Sequence, residues 1–342
     1  MPQEFSPRRL VVRLLALALI IGLAVVAIGS LPGLGTLRHR FAQIDVALFL
    51  VIGLMKLCSC LSNVVAFRNV FCRTMSWRFS YDLGMAEQGT NVLIPTGGAG
   101  GLALGAWALR QGGMPAEHIG RRSVAFFVLT SIPNFLCAAV VGPLLLLGVF
   151  PGQVPAVPTA VFTAMAWATM IFVALLPRLL GRISPDQASG RLGRRLRAAA
   201  QTLSNGIIDT RSFIVQRRWQ AILGAAGYLA FDIAALAFGY AAFGTSLPVG
   251  PLVFAYVIGQ LGGLIPLPGG IGGTDGGIIG ALVLYGSPLP QAAAAELAYR
   301  AFQLGLPALL GVVSFVRLRH TLEGSDSPAA ACAGLAEESL AT

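Results

Sequence analysis

The sequence predicts an all-α, polytopic membrane protein, and three observations support that fold class. The chain of 342 residues is 56% hydrophobic and only 11% charged, whereas soluble domains carry about 25% charged residues. Apolar runs of about 20 residues, the length that crosses a bilayer, recur along the chain. Basic clusters separate these runs, and the chain has 24 Lys and Arg against 14 Asp and Glu. The net charge of +10 therefore indicates basic cytoplasmic loops rather than a nucleic-acid partner.

Six full transmembrane helices are expected, with both termini in the cytoplasm of a cell-membrane protein. Arg8, Arg9 and Arg13 precede the first apolar run and hold the N-terminus inside. That run is longer than the core of a signal peptide, so we expect an uncleaved span. The predicted spans are 10–31, 46–66, 122–149, 159–177, 219–243 and 290–316.

Two other apolar segments, 80–110 and 250–287, are each broken by proline and glycine, which stop helices. The first contains Pro95, Gly97 and Gly98, and the second contains Pro266, Pro268, Gly269, Gly270, Gly272 and Gly273. Positive charge flanks the first segment on both sides and is missing beside the second. We therefore expect two re-entrant hairpins that enter from opposite faces, which is typical of an inverted repeat.

A single transmembrane domain is expected over 1–320, followed by a disordered tail over 321–342. The basic segment 178–218 contains apolar residues at helical spacing. It is either an interfacial amphipathic helix on anionic headgroups or a solvated linker. The five cysteines are interpreted as small buried hydrophobes, and the three histidines are placed in loops.

Ionisable residues inside apolar runs are the candidate functional residues. Each costs roughly 2.5–3.5 kcal/mol at the bilayer centre, so each is expected to be paired or functional. Glu296 and Arg300 are four residues apart and can pair on one helix. Asp232 needs a donor, which Arg300 or Lys56 could supply, and Lys56 could instead extend to an interface.

A phosphate-binding site is the hypothesis that joins these residues to the broken segments. Half-helix N-termini favour anions, and the planar fork of arginine suits phosphate. The alternative is that the glycines serve only close helix packing. Besides the prolines and glycines named above, the predicted substrate-binding residues are Asn91, Asp232, Asp275, Glu296, Tyr299 and Arg300. No catalytic triad, phosphate loop, metal spacing or cofactor motif accompanies them.

The Pro95 turn, the turn from Pro266 to Gly272, and Tyr299-Arg300 followed by Pro307 and Gly311 resemble the lysylphosphatidylglycerol synthase transmembrane-region family over about residues 10–318. This family forms the flippase-like module of bifunctional aminoacyl-phosphatidylglycerol synthases and also occurs alone. The chain departs from it after Pro95, where members often carry Gly-Glu and a nearby Arg. Asp275 stands where members often carry Glu. The synthases' soluble aminoacyl-transferase domain is not in this sequence, so we expect no lysine transfer.

The predicted function is translocation of an anionic phospholipid or a polyprenyl-phosphate-type lipid across the cytoplasmic membrane. The alternative is a membrane-embedded enzyme or accessory protein in the assembly of lipid-linked glycans or modified lipids. A third class is a scaffold without transport. The expected partners are membrane lipids, with a homo-oligomer or a separate lipid-modifying enzyme as further candidates, and no nucleic acid, metal or cofactor.

Overall fold

A computed structural model describes residues 12–16, 19, 41, 44–94, 99–152, 154–182, 191–264, 272–324 and 332. Ten helices follow one another in the part from residue 44 to 324: α1 Val46–Phe71, α2 Trp77–Leu93, α3 Ala99–Gln111, α4 Ala116–Leu146, α5 Ala156–Arg182, α6 Arg191–Val215, α7 Trp219–Ala242, α8 Val249–Gly259, α9 Gly273–Leu284 and α10 Leu289–Glu323. A 3₁₀ turn, Gln260–Leu264, continues α8. The described residues contain no strand, so the predicted all-α class is confirmed.

In the described part of the chain, five helices are long and apolar enough to cross a membrane: α1, α4, α5, α7 and α10. The shortest, α7, has 24 residues and is about 36 Å long, which exceeds the 30 Å hydrocarbon core. They correspond to the second to sixth predicted spans. The first predicted span, 10–31, lies outside the described residues except for 12–16 and 19.

Each broken segment forms two short helices that pack side by side. In the first hairpin, α2–α3, the backbone N–H of Gly101 donates to Asn91 Oδ1 at 2.7 Å, and a Cβ on Gly101 would lie 2.6 Å from the carbonyl oxygen of Glu87. In the second hairpin, α8–α9, a Cβ on Gly277 would lie 2.6 Å from the carbonyl oxygen of Gly259. Glycine therefore permits the close approach of the paired helices. With 12 residues, α9 is about 18 Å long and cannot cross the membrane alone.

The order of a long helix, two short helices and a long helix occurs twice, as α1–α4 and as α7–α10. The first helices of the two halves pack against each other in opposite directions. Ser59 Oγ donates to the carbonyl oxygen of Tyr228 at 3.0 Å, and Asp45 N–H donates to the carbonyl oxygen of Ala242 at 2.9 Å. Helices α1 and α7 are therefore antiparallel.

The last helix of each half packs on the hairpin of the other half. Helix α10 crosses α2 where a Cβ on Gly311 would lie 2.6 Å from the Cα of Gly89. Helix α4 meets α8 where a Cβ on Gly142 would lie 2.9 Å from the ring of Phe254. The two halves are therefore interlocked, because the last helix of each half packs on a short helix of the other half.

Replacing Gly311 with alanine should destabilise the protein, because the new methyl group would meet the backbone of α2. Overpacking of this kind costs about 1–3 kcal/mol. Gly305→Ala on the same helix is the matched control, since no atom lies within 4 Å of a Cβ there. Thermal unfolding in detergent should give a lower midpoint for G311A and an unchanged or raised midpoint for G305A. Equal midpoints would show that this crossing does not hold the halves together.

The described basic residues gather at one end of the bundle. The loops at that end lie around 72–76, 112–115 and 216–218 and contain Arg73, Arg217 and Arg218. Arg110 lies beside them in the last turn of α3. The loops at the other end, at 147–152, 154–155, 243–248 and 285–288, contain no Lys or Arg among the described residues. We call the first of these the basic end.

The basic segment contains a packed helix rather than a linker. Helix α6 lies along α4, where Arg121 pairs with Asp209 at 2.9 Å and Thr210 Oγ1 donates to the carbonyl oxygen of Ala125 at 3.3 Å. Phe213 is buried, while Ile208 and Val215 are exposed. The amphipathic helix predicted within 178–218 is therefore present, and its apolar exposed side suits an interface.

Two expectations about single residues are wrong. Cys332 lies beside Cys72 at the end of α1, and the two form a disulfide, so they are not isolated hydrophobes. His118 and His320 lie in helices rather than loops: His118 is buried in the first turn of α4, and His320 lies in the last turn of α10. The predicted tail 321–342 lies outside the described residues, apart from 321–324 and Cys332.

Candidate functional site

The first turn of α9 carries the first candidate side chain, Asp275. Gly272 precedes the helix with φ = +89°, a conformation that favours glycine. Its backbone N–H donates to Asp275 Oδ2 at 2.7 Å, so one carboxylate oxygen caps the helix. The other oxygen, Oδ1, lies 2.7 Å from Nε of Arg300 on α10. Asp275 thus joins the tip of the second hairpin to a long helix.

Arg300 lies deep within the bundle. It follows Leu289, the first residue of α10, by eleven positions, or about 17 Å along the helix. Only 7% of the residue is exposed. A guanidinium at this depth needs a counter-ion, and Asp275 supplies one.

The predicted pair of Glu296 and Arg300 does not form a hydrogen bond. Glu296 is 0% exposed, and neither of its carboxylate oxygens has a hydrogen-bond partner among the described residues. The spacing rule for one helix predicted this pair, and the two charges do attract each other, but the carboxylate 2.7 Å from Arg300 Nε is that of Asp275 on α9. Glu296 lies one helical turn from Arg300. Its carboxylate oxygens could therefore accept hydrogen bonds from a ligand bound beside Arg300.

A second buried ion pair lies near the middle of α1 and α7. Lys56 Nζ is 2.7 Å from Asp232 Oδ1, and the two side chains are 2% and 3% exposed. Of the two donors considered for Asp232, the structure therefore selects Lys56, and Lys56 does not extend to an interface. The ring of Tyr228 lies 5.5 Å from Lys56 Nζ and adds a cation–π contact.

Tyrosine hydroxyls connect this second pair to α10. Tyr256 on α8 donates to Asp232 Oδ2 at 3.3 Å, and its oxygen is 3.2 Å from the hydroxyl of Tyr299. Tyr256 and Tyr228 were not among the predicted site residues. The sequence feature that could have indicated them is a tyrosine within an apolar helix, because a buried tyrosine hydroxyl usually has a hydrogen-bond partner.

Several predicted residues do not join this cluster or lie outside the described part of the chain. Asn91 bonds to Gly101 within the first hairpin. Gly272 and Gly273 lie at the start of α9, as its N-cap and its first residue. Pro95, Gly97, Gly98, Pro266, Pro268, Gly269 and Gly270 lie outside the described residues. Among the described residues, no group of three or more His, Cys, Asp or Glu could hold a metal ion.

The fold and the buried charges define an all-helical, multi-pass membrane protein with ion pairs buried between its helices. Residues 13–311 match the family model described as the lysylphosphatidylglycerol synthase TM region, and the chain belongs to that family. This confirms the family that the Pro/Gly turns and Tyr299-Arg300 indicated. The family relates the chain to membrane modules of lipid modification or transport. No curated protein matches the chain.

Proposed function

We propose that the protein translocates an anionic phospholipid or a lipid phosphate across the cytoplasmic membrane. The observation that carries this proposal is the ion pair of Arg300 and Asp275 at the start of α9, deep in the bundle. An arginine beside the N-terminus of a half-helix combines two phosphate-binding features. When no lipid is bound, the carboxylate of Asp275 serves as the counter-ion of the buried Arg300 guanidinium.

A bound phosphate would take the place of Asp275 on the guanidinium. The carboxylate of Asp275 lies 2.7 Å from Nε of Arg300. Because a lipid phosphate would replace one anion by another there, the net charge around Arg300 would change little. The open oxygens of Glu296 could accept from a hydroxyl or ammonium group of the headgroup. The site would thus bind the phosphate and the polar end of a lipid at the same time.

The arrangement of the two halves supports movement between the two faces. The repeated order of α1–α4 and α7–α10, with antiparallel α1 and α7, fits an inverted repeat. In such proteins one half rocks against the other around a central site. The basic end would face the cytoplasm by the positive-inside rule. The first hairpin would then enter from the cytoplasm and the second from outside.

Reconstitution in vesicles tests this proposal. Purified protein would be placed in liposomes that contain traces of fluorescent phosphatidylglycerol or phosphatidylcholine, and dithionite would report how much label reaches the outer leaflet. We expect faster movement of phosphatidylglycerol than in protein-free vesicles, with or without an imposed pH gradient, and a smaller effect on phosphatidylcholine. Rates equal to those of protein-free vesicles for every lipid would contradict translocation and favour the enzyme or accessory role.

A further inference from the structure

A separate pocket lies at the basic end, between the first turns of α2 and the last third of α10. It has a volume of about 480 Å³ and is lined by Trp77, Arg78, Tyr81, Asp82 and Arg317. Arg317 follows Arg300 by 17 residues, which is about 26 Å along the helix. The pocket is therefore distinct from the site at Asp275.

The charges that surround this pocket favour a phosphate. Arg78 and Arg317 are exposed and bring two guanidinium groups to its wall. Arg68 adds a third positive charge beside it, because its guanidinium stacks 4.3 Å from the centre of the Trp77 ring and its Nε donates to the carbonyl oxygen of Met75 at 2.8 Å. Two arginines on neighbouring helices can bind one phosphate group from two directions.

Asp82 favours a ligand that carries a hydrogen-bond donor as well as a phosphate. Among the described lining residues it is the one acidic side chain. It has a hydrogen bond with Ser314 and faces the positive charge of Arg317, while its Oδ1 is buried with no hydrogen-bond partner among the described residues. A free phosphate dianion in this pocket would place a second anion beside the carboxylate. A headgroup that carries a hydroxyl or ammonium donor next to its phosphate would satisfy both the arginines and Asp82.

The aromatic residues place the pocket at headgroup depth. Trp77 is the first residue of α2 and is 53% exposed at the basic end, and tryptophan with tyrosine is enriched where membranes meet water. We propose that this pocket binds the headgroup of a phospholipid from the leaflet at the basic end, with the phosphate between Arg78 and Arg317 and a headgroup donor on Asp82. This binding does not depend on whether the lipid is afterwards moved.

Calorimetric titration of the purified full-length protein with water-soluble dihexanoyl phospholipids tests the assignment. Dihexanoyl-phosphatidylethanolamine has an ammonium donor, and dihexanoyl-phosphatidylcholine has none. We expect the wild type to bind the ethanolamine lipid several-fold more tightly, and Arg317→Gln to raise its dissociation constant about tenfold. Arg211→Gln is the matched control, since Arg211 is exposed on α6 and does not line the pocket. This control should change binding by less than about twofold.

Asp82→Asn should remove the preference for ethanolamine over choline while both lipids still bind, which a merely structural role would not produce. Three results would overturn the proposal: equal binding by R317Q and R211Q, a preference for ethanolamine that survives in D82N, or inorganic phosphate binding as tightly as either lipid. The last result would identify a site for soluble phosphate. Because no translocation is measured, these failures are distinct from failure of the proposed function.

Discussion

Replacing Arg300 with lysine should lower the rate of phosphatidylglycerol translocation about tenfold per molecule of folded protein. Lysine keeps the positive charge and can still pair with Asp275, but it loses the planar fork that binds phosphate through two donors. Loss of one charge-assisted hydrogen bond is worth about 1.5–3 kcal/mol, and 1.4 kcal/mol corresponds to a factor of ten in rate. The measurement is the vesicle assay, with the amount of reconstituted protein determined for each variant.

Arg121→Lys is the matched control for this variant. Arg121 also pairs with an aspartate, at 2.9 Å from Asp209, but this pair lies between α4 and α6. R121K should therefore translocate at close to the wild-type rate. If R300K also keeps the wild-type rate, Arg300 does not bind phosphate and serves only as a partner of buried carboxylates.

Asp275→Asn separates the two roles of that residue. Asparagine can still cap α9 through its side-chain oxygen but no longer neutralises Arg300. Loss of this counter-ion should lower stability, but if Asp275 is the counter-ion that phosphate displaces, the D275N protein that does fold should also lose most of its translocation rate per molecule. A variant that folds less well yet translocates normally per molecule would show that Asp275 is a structural cap.

The second large effect concerns folding: Lys56→Met should nearly abolish the yield of monodisperse protein. This change leaves the carboxylate of Asp232 buried without its cation, and breaking a buried pair costs about 3–5 kcal/mol. The hydroxyl of Tyr256, at 3.3 Å, is too weak a partner to compensate for that loss. The yield and the unfolding midpoint in detergent measure the effect.

The double variant Lys56→Met with Asp232→Leu should recover most of the lost stability, because it removes both charges from the apolar interior. Tyr256 would keep its contact with Tyr299. Arg121→Met is the control, since its pair with Asp209 is partly exposed, with side chains 21% and 13% accessible. A double variant as unstable as K56M would mean that the pair is required for a reason other than charge neutralisation.

The long helices were predictable because a span needs only a sufficient apolar length. The spans expected over 46–66 and 290–316 appear as α1 and α10, which are longer at their polar ends. The breaks at 95 and 266 were predictable because proline and glycine act on the local backbone. The bounds of α2–α3 and α8–α9 follow from them closely.

The candidate charge partners could be named from the sequence, but the pairs that form could not be chosen, because they depend on how distant helices pack. Lys56 and Asp232 are separated by 176 positions and meet only because α1 and α7 are antiparallel neighbours. For Arg300 the local spacing favoured Glu296, whereas the hairpin brings Asp275 within 2.7 Å. The disulfide of Cys72 and Cys332 likewise joins residues 260 positions apart. Spacing along the sequence therefore does not predict the ion-pair partner of a long side chain that can reach two different helices.

Labelling of single cysteines from each side of the membrane tests most directly the claim that the two hairpins enter from opposite faces. In a variant without native cysteines, Gln111→Cys marks the end of the first hairpin and Ser246→Cys the loop before the second, and both residues are exposed. With an impermeant maleimide, Ser246→Cys should label in intact cells, and Gln111→Cys only after permeabilisation. Labelling of both positions from the same side would contradict the inverted arrangement and the transport route built on it.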